Sequence, residues 1–180
     1  MLLVLLAVIG VTIIQIRGLL WLHLFVGMLL IGPVALKLGS TGYRFVRYYT
    51  ANPSYRRKGP PPMPLRLMAP IVVISTVVVF ASGVALLFVG PGSRQTLLPI
   101  HKASFFVWLA FTGLHVLVHL PKIAPALRAD YGNSPRLGPD IAGRAGRGIA
   151  LAGALTGGVV LAILVIPQFA PWLLAHNLHH

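Results

Sequence analysis

The sequence predicts an all-α fold, a polytopic membrane helix bundle with five transmembrane helices, on three observations. Of 180 residues, 57% are hydrophobic and 9% charged, with a mean hydropathy of +0.85; that leaves too little polar surface to coat a soluble domain. Apolar stretches recur at lengths near the roughly 20 residues a helix needs to cross a ~30 Å hydrocarbon core. Basic residues crowd between particular stretches, as loops that set membrane orientation do. Residues 1–180 read as one integral membrane domain.

The first helix, about 2–16, opens with the apolar run Leu2–Ile14. It lacks a basic n-region and a small-residue cleavage site, so it reads as a truncated or tilted spanning helix and not as a signal peptide. The second, about 18–38, and the third, about 67–89, flank a loop, 39–66, of aromatic, basic and proline residues. Such a segment suits the membrane interface, where it either anchors topology or docks a partner. The fourth, about 98–120, and the fifth, about 148–167, flank the loop 121–147, which holds Asp130 and Asp140, the chain's only acidic residues.

These features exclude several chemistries. Two aspartates and no glutamate leave almost no material for paired-carboxylate catalysis. Without cysteine the chain forms no disulfide, thiolate-bound zinc site or iron–sulfur cluster. The glycines of 121–147 form no phosphate-binding pattern.

The net charge of +13 raises nucleic acid as a partner, but its placement points elsewhere. Lys37, Arg44, Arg47, Arg56, Arg57, Lys58 and Arg66 fall on the same side as Lys122, Arg128, Arg136, Arg144 and Arg147. Arg17, Arg94 and Lys102 alone fall on the other. The positive-inside rule then puts the N-terminus and both long loops in the cytoplasm and the C-terminus outside. The arginine-rich composition suggests a bacterial plasma membrane, and anionic lipid head groups, not nucleic acid, are the expected partners of the basic loops.

Aligned against itself, the chain shows two helical hairpins and an extra helix. The first hairpin has Gly10 in its first helix and LLWLH opening its second; the other has Gly83 and LLPIH. At 1.5 Å per residue, His23 lies ~7 Å and His101 ~5 Å below the outer ends of their helices, with Gly10 and Gly83 at ~9–10 Å. All four share one layer. Two axial imidazoles approaching from opposite faces are what haem iron in an electron carrier takes. Glycine on the remaining helices would let backbone approach the macrocycle. Arg17, Arg94 and Lys102 lie beside this layer, where haem propionates seek cations. Each piece also has an ordinary reading, an interfacial histidine or a packing glycine, but ionisable residues inside a membrane are functional by default.

Four helices, with ligands on the second and fourth and glycines on the first and third, resemble the haem-binding bundle of the b-type cytochromes. These include cytochrome b of quinol-oxidising complexes and the membrane cytochrome subunits of dehydrogenases and hydrogenases. The resemblance spans about Leu2–Leu120 and rests on pattern. It implies haem b as cofactor, quinone as membrane partner and a redox partner subunit. In di-haem members each ligand helix carries a second histidine about fourteen residues on. Here His115 follows His101 at that spacing, but Lys37 stands where the other would be. The expectation is therefore one haem, at the outer layer, with a second only if His115 finds an unusual ligand. Lys37 otherwise snorkels to the interface. His115 and His119, at i and i+4, line a quinone or proton site, complete an inner haem, or are simply satisfied polar residues. His176, His179 and His180 read as an exposed tail or, less simply, a metal site.

The expected function is a membrane-embedded electron-transfer subunit with one bis-histidine haem near the outer face. Its alternative is a haem-free anchor or assembly subunit of a redox complex.

Overall fold

The computed structural model of the chain describes residues 1–50, 63–131 and 140–177, and every regular element among them is helical. Helix α1 is Leu2–Ile14, α2 Ile16–Tyr49, α3 Met63–Val89, α4 Arg94–Tyr131, α5 Asp140–Leu164 and α6 Ala170–Asn177; 3-10 turns occupy Pro91–Ser93 and Ile166–Phe169. Four of these helices are long and apolar enough to cross a membrane, over Ile16–Tyr49, Arg66–Val89, Arg94–Pro121 and Gly146–Leu164. The first expected span falls short of the length needed. With 13 residues, α1 rises ~20 Å, about two-thirds of the hydrocarbon core.

Two helices run further than hydropathy indicates. The loop expected from residue 39 is helical to Tyr49, because isolated Gly39 and Gly42 cost only ~1 kcal/mol each and local contacts oppose fraying. Ser40 Oγ donates to the Lys37 carbonyl at 3.0 Å, Arg44 Nε to the Ser40 carbonyl at 3.2 Å, and the Phe45 and Tyr49 rings lie 4.6 Å apart. The loop expected from residue 121 is helical to Tyr131. Pro121 removes one backbone hydrogen bond, that to the Leu117 carbonyl, and the helix continues past it.

Helices α1 and α2 form an antiparallel hairpin. Gln15 leaves helical geometry at φ −117°, ψ 42°, Gly18 and Leu19 N–H both donate to its carbonyl, and Leu19 is itself kinked. Helices α3 and α4 form a second hairpin through Gly90, whose φ of 81° and ψ of −179° lie in a region essentially confined to glycine. Pro91 then starts the 3-10 turn with a preset φ.

Helix α5 completes the bundle against α2 at backbone contact. Pro33 has no N–H for the Leu29 carbonyl, and that carbonyl lies where a Cβ on Gly158 would stand; a Cβ on Gly32 would strike the Ala154 carbonyl. The two glycines thus set Cα–H groups against carbonyls of the facing helix, a weak hydrogen bond suited to close helix crossings. The chain then turns at Ile166–Phe169 and lays α6 over the end of the bundle that holds the α3–α4 turn. Trp172 Nε1 donates to the Leu86 carbonyl at 3.2 Å, and Phe169, 1% exposed, joins Met28, Leu87, Ala162 and Val165 in the main core.

Candidate functional site

Helix α2 meets the α3–α4 hairpin sparsely, and the space between the hairpins is an apolar cavity of about 460 Å³. Its walls include Leu20, Leu24, Met28, Phe80, Val84, Leu87 and Phe105, and Trp172 of α6 closes part of one end. Its volume falls within the range of small-molecule and cofactor sites. His23, His101 and Lys102 are the hydrogen-bonding aliphatic or imidazole side chains on this lining, joined only by the indoles of Trp108 and Trp172.

Both histidines stand on the eighth residue of their helices, so the hairpin turns place them at one depth. Their ring centroids are 6.5 Å apart with planes at 85°. Each is tied to the first helix of its own hairpin. His101 Nδ1 lies 3.0 Å from the Val79 carbonyl and 3.1 Å from Ser82 Oγ. A carbonyl only accepts, so Nδ1 carries the proton. Ser82 donates its hydroxyl hydrogen to the same Val79 carbonyl and has none for the ring. His23 Nδ1 lies 2.9 Å from Thr12 Oγ1, whose hydrogen goes to the Ile9 carbonyl at 2.6 Å. Thr12 must therefore accept, and His23 is also protonated on Nδ1. Each Nε2 keeps its lone pair and has no protein partner among the described residues.

Gly83 lines the cavity, where it faces a side chain of the neighbouring helix. A Cβ there would come 3.0 Å from His101 Cε1, so the glycine makes room for the imidazole ring. Gly10 is not brought into the cavity, and a Cβ there meets nothing within 4 Å; α1 lines the cavity with Leu6, Ile9 and Ile13, and Thr12 hydrogen-bonds His23 from behind that wall. Gly27 of α2 lines the cavity, one turn from His23. Lys102 lies at the cavity edge, while Arg17 and Arg94 sit at the same end of the bundle, at the turn of each hairpin.

Sequence reasoning missed Thr12 and Ser82. Thr12 is the only hydrogen-bonding side chain in α1, which is a signal legible in the sequence, and the structure buries it fully. Ser82 is harder to single out, because Ser75 and Thr76 are similar residues that merely bond back to the Ile71 and Val72 carbonyls.

The inner histidines lie outside the cavity, whose walls stop at Ile31 and Trp108. His119 Nδ1 donates to the His115 carbonyl at 2.9 Å, the two rings stack at 4.5 Å, and Lys37 is likewise not among the cavity walls. Among the described residues His115 Nδ1 and Thr112 Oγ1 are buried without hydrogen-bond partners. A second apolar groove of about 640 Å³ runs between α2 and α3; its one hydroxyl, on Thr76, is taken by the Val72 carbonyl. His179 and His180 lie outside the described residues, as does the His176 side chain. Among the described residues no three histidine or acidic side chains gather as a metal site. No protein-family model matches this sequence, and no curated protein or solved structure is significantly similar to it.

Proposed function

We propose that the chain is a membrane-embedded, b-type cytochrome-like electron-transfer subunit that holds one haem b between His23 and His101. The observation that carries this reading is the histidine pair with both Nε2 lone pairs left for a ligand. His23 and His101, one from each hairpin and with ring centroids 6.5 Å apart, would hold the haem iron through those two nitrogens. Two protein ligands suffice only for a metal that brings its remaining ligands with it, as a porphyrin does.

The haem would supply a one-electron iron couple. The chain's own residues would do the rest: His23 and His101 would hold the group, the apolar walls exclude water, and Lys102, Arg17 and Arg94 set positive charge at that end of the bundle, available to the carboxylates of a bound haem. By the positive-inside rule this end faces outward from a bacterial plasma membrane, with the N-terminus inside. Quinone in the bilayer and an external redox subunit are the proposed partners. The confinement of the cavity to the outer layer supports one haem and leaves His115, His119 and Lys37 outside the ligand set.

The test is a dithionite-reduced minus oxidised spectrum of the purified protein, with haem quantified against chain. A b-type α band near one haem per chain is expected, and His23→Ala or His101→Ala should abolish it. No haem in the unaltered protein, after expression with ample haem, overturns this reading in favour of a haem-free anchor.

A further inference from the structure

We infer that Thr12 is a positioning residue that fixes the tautomer of His23, and that its role is not shared, whereas that of Ser82 at His101 is backed by the backbone. The inference rests on the cytochrome reading for its consequence, though its geometry stands on the apoprotein. Both imidazoles must present Nε2 to the cavity with a lone pair, which requires the proton on Nδ1. At His101 two acceptors hold that proton, the Val79 carbonyl and Ser82 Oγ, and no side-chain substitution removes the first. At His23 the only acceptor among the described residues is Thr12 Oγ1.

That acceptor is itself set. The Thr12 hydroxyl is committed to the Ile9 carbonyl at 2.6 Å, so its lone pairs, not its hydrogen, face the ring. Thr12 is completely buried, so water cannot substitute for it. Without the hydroxyl, His23 has nothing to hold its Nδ1 proton in an apolar wall, and the Nε2–H tautomer, which cannot ligate a metal, gains population. The two hairpins thus present equivalent histidines through unequal supports.

The experiment uses the full chain labelled with ¹⁵N-histidine, read first without haem and then after haem loading. In the unaltered apoprotein, His23 and His101 should both show a protonated Nδ1 and a bare Nε2. Thr12→Val, nearly isosteric, should move His23 toward Nε2–H and weaken haem binding by roughly 10- to 100-fold, the usual cost of losing such a partner. It should also raise the haem midpoint potential, because a ligand that loses its hydrogen-bond acceptor is less basic. Ser82→Ala should be impaired clearly less than Thr12→Val, because the Val79 carbonyl still holds the His101 proton, and Thr12→Ser should restore the tautomer, affinity and potential of the unaltered protein.

An Nε2–H His23 in the unaltered apoprotein overturns the inference without any variant being needed. So does a Thr12→Val protein with unchanged affinity and potential, or a Ser82→Ala protein as impaired as Thr12→Val. Should Thr12→Val not fold, failure of Thr12→Ser to match the unaltered spectrum overturns it as well. Failure of the cytochrome reading looks different: the unaltered protein takes up no haem although its tautomers are as stated.

Discussion

Gly83 and Gly10 separate a glycine that makes room for an imidazole from one that merely matches it in depth. A Cβ on Gly83 would press on His101 at 3.0 Å from Cε1, while the ring is already held by hydrogen bonds at 3.0 and 3.1 Å. Gly83→Val must push the imidazole off those partners, so haem retention should fall by at least ~10-fold, read as Soret absorbance per chain after gel filtration. Gly10→Ala meets open space and should leave haem content unchanged, with helix stability gaining about 0.5–1 kcal/mol. Equal loss in both variants would sink this assignment. The histidines were legible in the sequence because an ionisable residue stands out in an apolar run. Which of the two glycines faces the site was not, because depth along a helix is readable from residue count whereas rotation about its axis is not. His23 pairs across its hairpin with Thr12, and His101 with Ser82, so the matching residues of the two hairpins are hydroxyls and not glycines.

At the scale of elements, the contact between α2 and α5 shows how a membrane bundle coheres without a hydrophobic effect between its helices. Association there depends on close backbone approach. Gly32 and Gly158 provide it, each facing a carbonyl of the other helix, at the level where Pro33 has left the Leu29 carbonyl without its helical donor. Backbone cannot yield as a flexible side chain does, so Gly158→Val or Gly32→Val should destabilise the protein by about 3 kcal/mol, the upper part of the usual overpacking range. Gly157→Val, whose Cβ meets nothing within 4 Å, serves as control and should lie within about 1 kcal/mol of the unaltered protein. Thermal unfolding in one detergent, followed by circular dichroism, reads both. Similar losses at positions 157 and 158 would mean that the helices do not cross as described. The sequence announced the existence of the long helices through length and hydropathy, but not their ends. The continuation of α2 to Tyr49 depends on side-chain contacts one turn apart, such as Arg44 to Ser40, and these leave little trace in a hydropathy average. The role of α5 was likewise invisible, since which of its many glycines faces α2 is decided only by packing.

For the whole molecule, the charge distribution and the position of the histidine layer jointly fix what the protein would connect. Lys37, Arg44, Arg47 and Arg66 cluster at one end of the bundle, and the Arg66 guanidinium reaches the Tyr49 hydroxyl at 3.4 Å to join the ends of α2 and α3 there. The histidine layer, Lys102 and the α3–α4 turn lie toward the opposite end, beneath α6. If the basic end is cytoplasmic, an electron on the proposed haem sits close to the outer face and far from soluble cytoplasmic donors. The chain contains no cysteine, so single cysteines report topology without background. Gly92→Cys, in the exposed turn between α3 and α4, should react with a membrane-impermeant maleimide in intact bacterial cells or spheroplasts. Thr50→Cys, exposed at the basic end of α2, should react only after the membrane is permeabilised. The reverse pattern would invert the protein and place the histidine layer on the cytoplasmic side; the ligand chemistry would stand, but the proposed external redox partner would not. Labelling of both cysteines in intact cells would contradict a single orientation, and with it the use of the basic end as a topological anchor.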